Sequence, residues 1–169
     1  HDRYRRQRQM CIRDSFKNLP DKSITAFDIF AEKRVVVFGL PGAFTPTCSS
    51  QQVPGFDKLY QKICKENVDE IYCISVNDGF VMKAWFENLK VKNVKYLSDG
   101  SGDFTSLMGM LVAKDNLGFG KRSWRYAAVI NDGDVEKMFV EKGLKDNCET
   151  DPYEESTPEM VFEYLKNND

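Results

Sequence analysis

The apolar positions of this chain fall into short runs separated by polar turns, and the period of each run names the element it builds. Val35-Val36-Val37-Phe38-Gly39-Leu40 is an apolar, largely β-branched run, and residues 34–40 read as a buried strand. The stretch breaks at Pro41-Gly42, and a helix-like segment over 47–66 follows. Pro54 and Gly55 inside that segment predict a kink or an interruption. Residues 70–76 (EIYCISV) read as a second buried strand, and Asn77-Asp78-Gly79 as a loop and helix cap. Over 80–90, Phe80, Val81, Ala84, Trp85 and Leu89 recur at helical spacing. A short strand over 94–97, a turn from Ser98 to Asp103 and a helix near 104–110 complete this half.

The second half changes pattern. Trp124 to Ile130 reads as a strand, Asn131-Asp132-Gly133-Asp134 as a hairpin turn, and Val135 to Val140 as the returning strand. Residues 142–156 are polar and loop-like, after which Thr157 is a helix N-cap with Pro158 at the first helical position. Parallel βαβ units followed by an antiparallel hairpin and a closing helix predict an α/β protein of thioredoxin-like layout, a central mixed β-sheet flanked by helices. At 169 residues, with no internal repeat or low-complexity linker, one domain is expected.

Composition narrows the function classes. A formal charge of −2 gives no support for nucleic-acid binding, which calls for a basic face. No apolar run approaches the length that spans a bilayer, so no membrane partner is expected. The first fifteen residues, HDRYRRQRQMCIRDS, differ from the rest, with five arginines and almost no apolar periodicity. They read as an added leader or disordered terminus, or as the remnant of an Arg-rich targeting peptide. Residues 1–15 are therefore set apart from a domain over 16–169.

The turn after the first strand carries the candidate chemistry. PGAFTPTCSS, Pro41 to Ser50, places Cys48 near the start of a helix. The unpaired N–H groups and partial positive charge there favour a thiolate, the nucleophilic form of cysteine. Five cysteines (Cys11, Cys48, Cys64, Cys73, Cys148) with wide spacing and no CxxC pair argue against a disulfide framework and against a zinc site. The only histidine is His1, in the leader. Cys-His proteases, Ser-His-Asp hydrolases and His-ligated metal centres all need a histidine in the folded domain. Activation of Cys48 is left to a helix terminus, an arginine or a lysine, and no cofactor or metal is called for.

The motifs, taken together, resemble the peroxiredoxin family. PGAFTPTC fits its pattern of Pro, then Thr or Ser, then the peroxidatic Cys, here Pro41, Thr45 and Cys48. VPGF at 53–56, CISVNDGFVMKAW at 73–85, LSDGSGDFT at 97–105 and GFGKRSWRYAAVINDGDV at 118–135 resemble the type II, peroxiredoxin-five-like subfamily. The resemblance runs from about residue 20 to the end. It implies a thiol-dependent peroxidase that reduces hydrogen peroxide and small alkyl hydroperoxides, in antioxidant defence and redox homeostasis. Cys48 then resembles the nucleophile, Thr45 its hydrogen-bonding partner, and Arg125 the guanidinium that fixes thiolate and peroxide. Pro41 looks like the residue that shields the pocket, and the backbone N–H groups of Thr47 and Cys48 point into it. Homodimers are common in the family, and Phe44, Phe80, Trp85 and Phe119 are aromatic candidates for such a face or for the core.

The chemistry is consistent on its own terms. A thiolate attacks one peroxide oxygen, expels alkoxide or water and becomes a sulfenic acid. Arg125 supplies fixed donors that do not lose their proton, and Thr45, three residues before Cys48, can place its hydroxyl beside the sulfur.

Reduction of the sulfenic acid divides the sequence. Cys73 lies where plant-like members carry a candidate resolving cysteine, yet its apolar strand reads as that of a buried structural residue. Cys148, in a polar loop, lies near where animal-like members place theirs and is expected to be the more accessible, but KDNCETDPYEES does not match their motif. The favoured reading is a one-cysteine cycle in which glutathione, with or without glutaredoxin, forms a mixed disulfide with Cys48; thioredoxin is the other candidate reductant. Two rivals stand beside it. A disulfide oxidoreductase needs CxxC where this chain has Thr45-Pro46-Thr47-Cys48, and a redox sensor would pass oxidation from Cys48 to a partner protein. Unpaired cysteines suit a reducing intracellular compartment, cytoplasmic or, if the Arg-rich segment is a targeting remnant, plastid or mitochondrion.

Overall fold

The run at 34–40 becomes the central strand of a five-stranded sheet. The computed structural model describes residues 15–168, so most of the leader, with Cys11 and the targeting reading of residues 1–14, lies outside the described residues. A small ribbon comes first: β1 (Ser15–Phe16) runs antiparallel to β2 (Ile24–Thr25), followed by α1 (Ala26–Phe30), which Thr25 caps by accepting from the Asp28 amide. Ser15, assigned to the leader by composition, is thus the first residue of a strand.

The main sheet has the order β5-β4-β3-β8-β9. β3 (Arg34–Gly39) is parallel to β4 (Glu70–Ser75), and β4 is parallel to β5 (Lys95–Ser98). On the other side of β3, β8 (Tyr126–Asn131) runs antiparallel, and β9 (Asp134–Val140) returns along β8 through the turn at Asp132-Gly133. All six residues of β3 are buried, the apolar run from Val35 as its pattern requires and Arg34 through its ion pair with Glu136.

Alternation along β3 separates two cores. Val36 and Phe38 point into the cluster that holds Phe56, Ile63, Trp85, Val161 and Leu165, from α2 (Val53–Cys64), α3 (Gly79–Leu89) and α5 (Pro158–Asn167). Val35 and Val37 point into the cluster with Phe30, Phe104, Trp124 and Tyr126, where α4 (Asp103–Leu107) lies. Phe38 and Phe56 stack at 4.1 Å between ring centroids, and burial of each such ring contributes about 2 kcal/mol. The chain is thus a single α/β domain of thioredoxin-like fold, its mixed sheet flanked by helices.

Differences from the sequence reading have physical causes. The interruption expected from Pro54 and Gly55 takes the form of a π-helical turn, Cys48–Gln52, directly before α2. The Val53 amide reaches back to the Cys48 carbonyl, five residues away, and this wide turn places Pro54 in the first turn of α2, where a missing N–H costs nothing. Arg125, read as a strand residue, falls instead in the junction between β7 (Lys121–Ser123) and β8. β7 pairs with β6 (Leu111–Ala113) in a separate ribbon, which ends at Ser123. That break lets the Arg125 side chain turn toward the end of β3.

Candidate active site

β3 delivers the chain to the carboxyl edge of the parallel strands, the ligand-binding edge of open α/β sheets. Gly39 ends the strand against Tyr126: a Cβ there would stand 2.2 Å from Tyr126 Cε1, so no larger residue passes at this point. Pro41, Gly42 and Ala43 are buried, and the loop turns at Phe44, whose φ of 64° is a left-handed conformation uncommon for a large side chain. The Ser49 amide donates to the Thr45 carbonyl at 3.0 Å, the first helical bond of the segment. Thr47 and Cys48 therefore lie in the first turn, where amides lack intrahelical acceptors. The positive end of the helix is set against the sulfur.

Cys48 is fully buried. Nη1 of Arg125 donates to its Sγ at 3.4 Å and to Gln52 Oε1 at 2.6 Å. Nη2 of Arg125 donates to Asp151 Oδ1 at 2.5 Å, and the Tyr153 ring lies 5.6 Å from the guanidinium carbon. Arg125 is 2% exposed. Burial works against its charge, but attraction to Cys48 and the bond to Asp151 outweigh it and hold the guanidinium above its ordinary value. Its Nε has no hydrogen-bond partner among the described residues. Gln52 is held from its other end, where Nε2 donates to the Gly39 carbonyl at 3.1 Å.

A second guanidinium braces the loop. Nη1 of Arg122 donates to the Pro41 carbonyl at 3.0 Å, and Nε to the Phe119 carbonyl at 3.2 Å. Burial pushes Arg122 below its ordinary value, and its nearness to Cys48 opposes that shift. Gly42 leaves room for it: a Cβ at residue 42 would stand 2.1 Å from Arg122 Nη1. Beside this assembly lies a cavity of about 290 Å³ with Pro41, Thr45, Arg125 and Cys148 among its walls. Among the described residues no three His, Cys, Asp or Glu side chains are arranged to hold a metal ion, and no helix is long and apolar enough to cross a membrane.

A buried cysteine at a helix start, bonded by an arginine from the β7–β8 junction, has the surroundings that thiol chemistry needs. The Redoxin family model matches residues 13–155. The chain is 58% identical over 145 residues to Peroxiredoxin y4vD of Sinorhizobium fredii, covering 86% of this chain and 77% of that protein. The chain belongs to the peroxiredoxin family. As a peroxiredoxin it is a thiol-dependent peroxidase, an oxidoreductase. Solved structures match over most of its length. The Plasmodium falciparum antioxidant protein (1-Cys peroxiredoxin) superposes with a TM-score of 0.84 at 46% identity, over 87% of this chain and 86% of that one. Reduced Prx3 of Vibrio vulnificus in complex with hydrogen peroxide superposes with a TM-score of 0.81 at 35% identity, over 90% of this chain and 89% of that one.

In this peroxiredoxin the residues expected from sequence stand as follows. Cys48 and Arg125 meet. The Thr45 hydroxyl donates to the Gly42 carbonyl at 2.7 Å, closing the loop, and its side chain borders the cavity. Pro41 is buried, and its carbonyl takes the Arg122 bond. Cys73 sits on β4 with no exposure; burial first, and then its nearness to Cys48, push its thiol well above the ordinary value. Cys148 corrects the sequence reading: expected to be accessible, it is only 5% exposed, because its loop folds back over the end of the β6–β7 ribbon through the Asn147 amide and the Ala113 carbonyl. Cys64, half-buried, is raised mainly by burial. Of the aromatic candidates, Trp85 is core, with Nε1 donating to Ser49 Oγ at 2.9 Å, whereas Phe44 and Phe80 are exposed.

Sequence reasoning missed Gln52, Arg122, Asp151 and Tyr153. Gln52 alone had a readable signal, a polar residue one helical turn beyond Cys48 on the face that must be buried. Asp151 and Tyr153 sit in the polar stretch dismissed as loop. Glu141 positions that stretch: its carboxylate accepts from the Glu154, Glu155 and Ser156 amides and from the Ser156 hydroxyl.

Proposed function

We propose that Cys48 is the peroxidatic nucleophile for hydrogen peroxide and small alkyl hydroperoxides. The observation that carries this reading is the buried bond from Arg125 Nη1 to Cys48 Sγ. The thiolate sulfur bonds to one peroxide oxygen as the O–O bond breaks, and water or alcohol leaves after taking up a proton. Arg125 is bonded on both Nη atoms, so its position is fixed before substrate arrives, and its partnerless buried Nε is a donor left for an incoming oxygen. The Thr47 and Cys48 amides add positive potential on the sulfur side. Thr45 keeps two lone pairs free after its bond to Gly42 and takes the peroxide proton side; Pro41 walls the cavity against bulk water. That the Vibrio vulnificus relative was solved with hydrogen peroxide supports the same substrate class.

The cycle is completed by an outside thiol. Glutathione attacks the Cys48 sulfenic acid and releases water, and a second thiol, glutathione or glutaredoxin, exchanges the mixed disulfide. Support comes from Cys73, closed in the core with a thiol pushed well above its ordinary value, and from the relative described as a 1-Cys peroxiredoxin. The domain read from sequence over 16–169 takes in Ser15 as well, and it works in a reducing compartment. The exposed rings of Phe44 and Phe80 support a homodimer through the loops around the active-site helix.

A cysteine panel tests this. Cys48→Ser abolishes peroxide turnover, whereas Cys73→Ser and Cys148→Ser keep it with glutathione and glutaredoxin. Loss of activity in either of the last two would replace the one-cysteine cycle with an internal disulfide.

A further inference from the structure

The cavity beside Arg125 holds a second thiol that the peroxidase chemistry leaves unused. Cys148 lines this space of about 290 Å³ together with Lys114 and Thr150. Its Sγ lies 3.4 Å from the Thr150 hydroxyl. That contact, ahead of the Thr150 amide and of Lys145 and Lys114, holds the Cys148 thiol below its ordinary value. A thiol so placed carries more of the reactive thiolate than a cysteine buried among apolar groups.

Lys114 is the independent observation. It is 2% exposed, and among the described residues its ammonium makes no hydrogen bond or ion pair; it is held 5.2 Å over the Trp124 ring. Lys114 lines the cavity with no anion on its ammonium, so a ligand carboxylate reaching it gains an ion pair that the protein does not supply. The carboxylates on the same wall do not fill that need: Asp151 is bonded to Arg125, and Glu149 is exposed.

We propose that Cys148 is a site of reversible mixed-disulfide formation with a carboxylate-bearing low-molecular-weight disulfide, seated in this cavity with one carboxylate on Lys114. The Cys148 sulfur bonds to one sulfur of the disulfide, the S–S bond breaks, and the other half leaves as a thiolate that takes up a proton. The cavity lies near the ~300 Å³ lower end of small-ligand sites. Because Thr45 and Arg125 line the same space, the adduct stands in the approach to the active-site loop. The step does not depend on Cys48 being the peroxidatic residue.

The test uses the Cys48→Ser chain, which removes the proposed peroxide chemistry and leaves the cavity. It is incubated with glutathione disulfide or with the neutral hydroxyethyl disulfide, and the modified peptides are mapped by mass spectrometry over time. Cys148 is expected to be modified ahead of Cys64 and Cys73, and at least about fivefold faster by the charged disulfide. Lys114→Met, which keeps an unbranched stem over Trp124, removes that preference, and Lys114→Arg keeps it. Equal rates for the two disulfides in the chain that retains Lys114, or adducts mainly on Cys64, would overturn the proposal. Absence of peroxide turnover in the native chain would leave these rates untouched, so the two readings fail separately.

Discussion

Arg125 and Gln52 share a 2.6 Å hydrogen bond through Nη1, the same nitrogen that reaches the Cys48 sulfur. Gln52 is in turn tied to the Gly39 carbonyl, so the end of β3 and the π-helical turn jointly aim the guanidinium. Removal of the amide leaves the charge present but anchored through Nη2 to Asp151, without its tie to the end of β3. Gln52→Leu is expected to slow the reaction of Cys48 with hydrogen peroxide about tenfold, the equivalent of roughly 1.4 kcal/mol. Stopped-flow measurement on the reduced chain reads this directly, and an unchanged rate constant would show that Arg125 is aimed by other contacts.

Arg125 itself bears a larger load. Arg125→Ala is expected to reduce the same rate constant by about two to three orders of magnitude, the usual cost of a lost transition-state donor in a closed site. Arg125→Lys should recover little of it, because one ammonium cannot reach Gln52, Asp151 and the sulfur together. Full activity in the lysine variant would reduce the role to charge alone.

Glu141 links stability to the site. Burial alone would raise its carboxyl, but the Ser156 hydroxyl and the Glu154, Glu155 and Ser156 amides hold it below its ordinary value. A depressed folded-state value means stabilisation that is complete above the ordinary carboxyl range and lost as pH falls through the depressed value. Glu141→Gln should therefore lower stability by about 2 kcal/mol at pH 7, and its urea denaturation midpoint should converge with that of the native chain in acid. A constant gap at all pH values would assign the loss to packing. Because this carboxylate fixes the segment just after Asp151 and Tyr153, the variant is also expected to react more slowly with peroxide.

The cysteines offer a separate ordering. The Thr150 hydroxyl lowers the Cys148 thiol, whereas burial raises Cys73 well above its ordinary value. Slow alkylation of the Cys48→Ser chain by iodoacetamide near pH 7.5 should label Cys148 before Cys73. Labelling of Cys73 first would mean that β4 opens more readily than the 142–156 segment moves.

Much of this was written in local pattern. The buried run at Val35 to Phe38, the Thr157-Pro158 helix start and the Asp132-Gly133 turn each carry their own short-range signal and stand where it placed them. PGAFTPTC likewise placed Cys48 at the sheet edge, because a strand that breaks at Pro-Gly before a helix leaves its cysteine there. What escaped was long-range. Asp151 and Tyr153 have no periodicity to mark them, and only folding of the 142–156 segment back to the β7–β8 junction brings Asp151 to a guanidinium 26 residues away and Tyr153 to its face. Arg122 and Arg125 look alike in RSWR, and which one reaches Cys48 depends on the β7 to β8 break. Cys148 looked exposed because its neighbours are polar, yet those polar neighbours bond to the β6–β7 region and close over it.

The most direct measurement is to identify the sulfur that peroxide oxidises first. The reduced chain is mixed with one equivalent of hydrogen peroxide in the presence of dimedone, which traps sulfenic acids, and its peptides are sequenced by mass spectrometry. One dominant adduct is expected, on the peptide containing Cys48, and it is lost in Cys48→Ser. An adduct that forms first on Cys64, Cys73 or Cys148 while Cys48 stays reduced would contradict that expectation.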